Sequence, residues 1–171
     1  MDDRTRAGWR ILTWIGIIDQ LASARAADAL RQIALPLPQF VILNHFSHRP
    51  DEPRTVTGIA RALQQPQPGV TKTIQKMLEG GLLAAATAPG DGRSKLLRLT
   101  PKGAKAHQRA IALLTPAFEA AFAGWEEGDF ADLFRRLNPL KTWLDTEGRK
   151  PVARPKGTAR SPRAPAVRYP A

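Results

Sequence analysis

Residues 55–100 read TVTGIARALQQPQPGVTKTIQKMLEGGLLAAATAPGDGRSKLLRLT. Val56, Ile59, Ala60 and Leu63 recur at helical spacing, and Thr55 is suited to cap that first helix. Gln65-Pro66-Gln67-Pro68-Gly69 then breaks the pattern. Proline is tolerated in the first turn of a helix but not inside one, so Pro66 and Pro68 open a second helix over 67–80. Val70, Ile74 and Met77 form its inward face, and Gly80-Gly81 stops it. Thr71, Lys72, Gln75 and Lys76 are left outside, with no carboxylate before Glu79. Lysine suits phosphates, and glutamine or threonine suits base edges, so this face fits a DNA groove.

Two strand-like runs follow, 82–86 and 95–99, separated by a turn-rich loop over 87–94. Arg93, Lys95 and Arg98 make this hairpin basic. A helix-turn-helix followed by a basic hairpin is a winged helix. The expected fold class is therefore mainly α with a small β wing.

The stretch resembles the winged helix of the MarR family of bacterial transcription regulators. The residues that carry the resemblance are Val70-Thr71-Lys72, Gly81-Leu82-Leu83, Asp91-Gly92-Arg93 at the wing, and Leu96-Leu97-Arg98-Leu99-Thr100-Pro101-Lys102-Gly103 at its exit. It extends over roughly residues 9–147, about one typical domain. It implies that the first helix (8–33) and the helices over 101–147 build a dimer interface. It also implies that Asp91 orients a nearby arginine through a salt bridge. Three positions depart from the family pattern: Ala85 stands for a wing arginine, Pro66 for a Ser-type cap, and Gly69 for a frequent Ser or Thr.

Composition narrows the function classes. The 171 residues are 43% hydrophobic, enough for one domain with a core, and contain no cysteine. Disulfides, thiolate metal sites and thiol redox switches are excluded together. The formal charge of +11 points to a polyanionic partner. Acids precede the first apolar run, unlike a signal peptide, and that run contains Arg10 and Asp19. A cytoplasmic, nucleoid-associated protein without membrane contact is expected.

Outside the wing, residues 8–33 read as a long helix that is apolar on most sides. Ile11, Trp14, Ile18 and Leu21 keep a three-four spacing, and Trp9, Leu12, Ile15 and Ile17 widen the face. Such a helix is buried by more than one partner, and a second subunit is the reading we favour. A second helix is expected over 38–48 after Pro36 and Pro38. Thr100-Pro101 starts another, carrying Ala104, Ile111, Leu114 and Phe118, kinked at Pro116 and ended by residues 124–128. Asp129 is expected to cap the last, with Phe130, Leu133, Phe134, Leu137 and Leu140 on one face.

Domain organisation is thus 1–148 for the winged-helix domain and 149–171 for a basic, proline-rich tail. The tail holds seven basic residues, no acid and five prolines. Its charge is +7, so +11 less +7 leaves +4 for the remainder. It cannot bury a core and is expected to be disordered, either as a non-specific DNA-binding arm or as a solubilising segment.

No zinc-protease motif, nucleophile elbow or phosphate loop is present, so no enzyme and no cofactor is expected. His45, His48, Asp51 and Glu52 lie close in sequence, but no third ligand is fixed by their spacing, and no metal is assigned. The expected function is a homodimeric, sequence-specific regulator on double-stranded DNA at a near-palindromic site. Gln67, Thr71 and Gln75 would read bases, and Lys72 and Lys76 would hold phosphates. Gly69, Arg93 and Lys95 complete the DNA-facing set, with Arg93 reaching the minor groove. The resemblance implies a small aromatic or anionic effector, for which Trp14, Phe40 and His45 are candidate lining residues. The alternatives are an architectural, chromatin-type protein that coats DNA without sequence preference, and a metabolite-binding module with secondary DNA affinity.

Overall fold

The structure, a computed structural model, describes residues 1–48, 50, 52–88 and 91–150; the side chains of 88 and 91–94 lie outside that description. The chain divides into two compact units, residues 1–123 and 124–171.

In the first unit, helix α1 spans Asp3–Leu30. It begins five residues before the expected start because Asp2 accepts a 2.7 Å hydrogen bond from the Thr5 N–H and caps it. A 3₁₀ turn, Arg31–Ile33, leads to Ala34 in the left-handed region at φ 52°. The chain therefore turns before Pro36, which instead caps α2, Leu37–Ser47. Helix α3, Val56–Ala62, is capped by Thr55, whose hydroxyl accepts from the Gly58 N–H at 3.0 Å. It ends at Gln64, φ 55°, where the Gln65 N–H reaches the Ala60 carbonyl at 3.0 Å. Helix α4, Gln67–Glu79, follows.

Strands β1, Leu83–Ala88, and β2, Asp91–Leu99, pair antiparallel from Leu83↔Leu99 to Thr87↔Lys95 and again at Ala88↔Asp91, with a register shift between Thr87 and Ala88. The expected eight-residue loop is thus mostly strand. Gly, Asp and Ser weight that segment toward turns in sequence, whereas the strands pair once more, at Ala88↔Asp91, beyond the register shift. The Arg54 backbone adds a bridge to Leu97, with N–H···O distances of 3.0 and 2.8 Å. Helix α5, Pro101–Glu119, starts at Thr100 and carries Pro116 within it. It ends before the expected 124–128 stop, passing into a 3₁₀ turn, Ala120–Phe122.

The core gathers Leu30 from α1, Ile42, Leu43 and Phe46 from α2, Ile59 and Ala60 from α3, and Val70, Ile74 and Met77 from α4. Leu83 and Leu97 join from the wing, and Ala110 and Leu114 from α5. Ile111, expected inside, is exposed, and Ala110 takes the buried position beside it. On α1 the apolar face stands open: Trp14 is 63%, Ile18 61% and Leu21 68% exposed.

The second unit carries helix α6, Glu127–Asp145. Its cap is Glu126, not Asp129. Asp129 sits at the third helical position and accepts from the Glu126 N–H at 2.9 Å, closing a capping box. Phe134 and Trp143 are exposed, and the helix has no buried residue.

Candidate nucleic-acid interface

Helix α4 divides its residues cleanly. Val70, Ile74 and Met77 are buried, whereas Gln67, Gly69, Thr71, Lys72, Gln75 and Lys76 are exposed. Gln67, Thr71 and Gln75 succeed one another at four-residue steps and form one stripe; Lys72 and Lys76 form the next. The structure thus places all six expected residues of this helix on one solvent-facing side.

Local hydrogen bonds limit what some of them can offer. The Thr71 hydroxyl donates to the Gln67 carbonyl at 2.8 Å, so only its lone pairs and methyl group face outward. Thr57 of α3 donates to Gln67 Oε1 at 3.4 Å, which leaves the amide NH₂ as the outward donor. Gly69 has open space where a Cβ would stand, so its backbone is approachable from outside. Lys95 is exposed opposite Thr87 in the wing. The side chains of Asp91 and Arg93 lie outside the described residues, as do residues 151–171 of the tail.

The three histidines of the chain lie on α2 and α5, with His48 at the end of α2. Arg54 Nη1 lies 2.9 Å from His45 Nε2, and its guanidinium sits 5.7 Å over the Phe46 ring. A guanidinium only donates, so His45 Nε2 is the acceptor and the neutral ring carries its proton on Nδ1. Glu52 faces Arg54 at 3.7 Å. His107 on α5 meets Asn44 Oδ1 at 3.1 Å and stacks on Phe40 with ring centroids 5.8 Å apart. Sequence reading misses this Arg54–His45 pair and the Asn44–His107 pair. The first joins residues nine apart across the α2–α3 loop and the second residues 63 apart, and no local pattern marks either.

Burial pushes the His45 imidazole below the ordinary 6.5, and the Arg54 and His48 charges push it further. Burial, then His48, lowers His107 in the same direction. In the unfolded chain both rings take up protons near 6.5; in the folded state they do so only at lower pH. Between those values the unfolded chain holds more protons, so stability falls as pH drops through about 6.5. Melting temperature is expected to be level from about pH 8 to 7 and to decline toward about pH 5. The double variant His45→Gln/His107→Gln should decline less over the same range.

Trp14 lies elsewhere, beside a shallow depression on α1 lined by Ala7, Arg10, Ile11 and itself. The three expected effector-lining residues therefore split into Trp14 on α1 and the Phe40–His45 pair on α2. Among the described residues no three His, Cys, Asp or Glu side chains gather to hold a metal ion, and no helix is long and apolar enough to cross a membrane.

A helix-turn-helix of α3 and α4, with no acid on the outward face of α4 before Glu79, followed by a two-stranded hairpin, defines a winged helix-turn-helix protein. Residues 35–94 match the MarR family model. Its structure is similar to that of the transcriptional regulator BldR from Sulfolobus solfataricus, at 21% identity and TM-score 0.72, covering 83% of this chain and 99% of that one. It is also similar to Staphylococcus aureus MepR in a DNA-binding conformation, at 19% identity and TM-score 0.67, covering 78% and 98% of the two chains. Apo MarR from Escherichia coli aligns at 17% identity and TM-score 0.65, over 75% and 94%. No curated protein sequence matches the chain. The architecture is that of MarR-family transcriptional regulators.

Proposed function

We propose that the protein is a homodimeric, sequence-specific DNA-binding regulator of transcription. The observation that carries this reading is the division of α4: an apolar edge locked into the core, and an outward face of glutamine, threonine and lysine. Each subunit would lay α4 in a major groove. Two-fold symmetry would then set two half-sites about one helical turn apart. Gln67, Thr71 and Gln75 would meet base edges, Lys72, Lys76 and Lys95 the phosphates, and Arg93 the minor groove at the wing. Gly69 would let backbone approach DNA closely. MepR, which shares the fold, was captured in a DNA-binding conformation, and this supports the assignment.

The open apolar face of α1 supports the dimer. Control by a small aromatic or anionic ligand belongs to the same proposal, with Trp14, Phe40 and His45 as the residues to substitute. The tail from residue 149 would add non-specific attraction through its seven cations.

Two substitutions separate the roles on α4. Gln75→Ala is expected to relax discrimination at one base pair of the site, by about 1–3 kcal/mol, and to leave the salt dependence alone. Lys72→Ala is expected to weaken binding to every duplex alike and to lower the slope of log K against log salt by about one per subunit. Measuring both variants on the preferred site and on a shuffled duplex checks the assignment. Base preference unchanged in Gln75→Ala would remove that residue from the reading set.

A further inference from the structure

The foot of α4 is held in an unusual way. Its own last turn closes with the Leu82 N–H on the Met77 carbonyl at 2.8 Å and the Gly81 N–H on the Leu78 carbonyl at 3.0 Å, around Gly81 at φ 67°. The next three carbonyls point away from the helix, and the start of α5 takes them all. Lys102 Nζ donates to the Gly80 carbonyl at 2.7 Å. The Thr100 hydroxyl donates to the Gly81 carbonyl at 2.7 Å, with the Leu82 carbonyl at 3.1 Å. The Thr100 N–H also reaches the Leu82 carbonyl, at 3.3 Å. The same Thr100 oxygen accepts from the Gly103 N–H at 3.0 Å, so one side chain caps α5 and ties down α4. The Lys102 charge sits where the α4 dipole is negative.

Gly103 makes the approach close enough. A Cβ there would lie 2.1 Å from the Leu82 carbonyl oxygen and 2.8 Å from Leu99 Cδ1. Real Cβ atoms do not come so near, so any side chain at 103 would push the two elements apart. Thr100, Lys102 and Gly103 thus form a clamp between two helices, quite apart from the core beneath.

We propose that Thr100 and Lys102 are positioning residues for DNA recognition, clamping the foot of α4 to α5 and so fixing the angle at which Gln67, Thr71 and Gln75 meet base edges. This inference rests on the reading of α4 as the DNA-reading helix. The lever is long. The thirteen residues of α4 span about 20 Å, so a tilt of about 5° at the foot moves the Gln67 end by about 1.7 Å. Hydrogen bonds to bases do not survive a displacement of that size. Phosphate contacts from flexible lysines do.

The test uses the full chain, a duplex selected from genomic fragments by the wild-type protein, and a shuffled duplex, each across a salt series. Lys102→Met and Thr100→Val are compared with Lys102→Arg and Thr100→Ser, which keep a donor. The expected result is a loss of about tenfold in preference for the selected duplex in Met and Val, the size of one base contact. Affinity for the shuffled duplex and the salt slope should stay unchanged, and Arg and Ser should retain the preference. Thr100→Val also removes a helix cap, so melting temperatures are recorded beside it; Lys102→Met leaves that cap intact. An unchanged preference in Lys102→Met overturns the clamp. So does a parallel loss on both duplexes with a reduced salt slope, which would make Lys102 a phosphate contact. A wild-type protein with no preference at all would instead overturn the DNA-reading role of α4, and the inference with it.

Discussion

Ile18→Asp is expected to convert the protein to a monomer and to lower its affinity for DNA by about a hundredfold or more. Ile18 stands 61% exposed midway along α1, flanked by Trp14 and Leu21 on the same face. Trp9, Ile11, Leu12, Ile15 and Ile17 are also exposed, so the apolar surface is continuous along nearly half the helix. Soluble monomers do not leave such a patch open to water. Burying an isoleucine stabilises an interface by about 1.5–3 kcal/mol, and a two-fold interface gains this twice. An aspartate in its place would remove that gain and bring two unpaired carboxylates into an apolar surface. The DNA effect follows from linkage of two binding modules, where the second contact gains about 10²–10⁴ from being tethered. Sedimentation velocity should give twice the 18.7 kDa chain mass for the wild type and the single mass for the variant. A wild-type protein that sediments at 18.7 kDa at micromolar concentration would remove the dimer from the account.

Phe46→Ala is expected to cost about 3–5 kcal/mol of folding stability, lowering the melting temperature by on the order of 10–20 °C. Phe46 is fully buried on α2, the helix against which α4, α5 and β2 all pack. Its ring also supports the Arg54 guanidinium, whose backbone pairs with the wing at Leu97. Truncation leaves a cavity at the meeting point of the helices and takes the floor from under a charged group. Thermal unfolding followed by circular dichroism measures the loss. A shift of only a few degrees would show that the neighbours collapse into the space, and that the core is less tightly determined than the burial implies.

Much of this fold is legible in the sequence because its signals are local. The Thr55 and Thr100 caps, the Pro66–Pro68 helix start, the inward Val70–Ile74–Met77 row and the Gly81 stop all act within a few residues, and each appears where expected. The turns at Ala34 and Gln64 are not legible. Both adopt left-handed backbone without glycine or asparagine, so their residue types do not mark the turn. The length of the wing escapes sequence reading because the strands pair again at Ala88↔Asp91, beyond a register shift that no local preference marks. The cap of α6 lies three residues before the expected Asp129, because two acids at the right spacing compete for that role. In the site, the exposed face of α4 follows from periodicity alone. The clamp at Thr100 and Lys102 and the Asn44–His107 pair join residues far apart in sequence, and only the folded chain brings them together.

The most direct test of a DNA-reading regulator is binding to DNA from upstream of the protein's own gene, measured against a shuffled duplex across a salt series. The expected result is a preference of at least about 10³-fold at physiological salt and a footprint of two half-sites. Equal binding to both duplexes that fades steeply with salt, repeated across fragments selected from the whole genome, would contradict it and leave a protein that coats DNA without reading it.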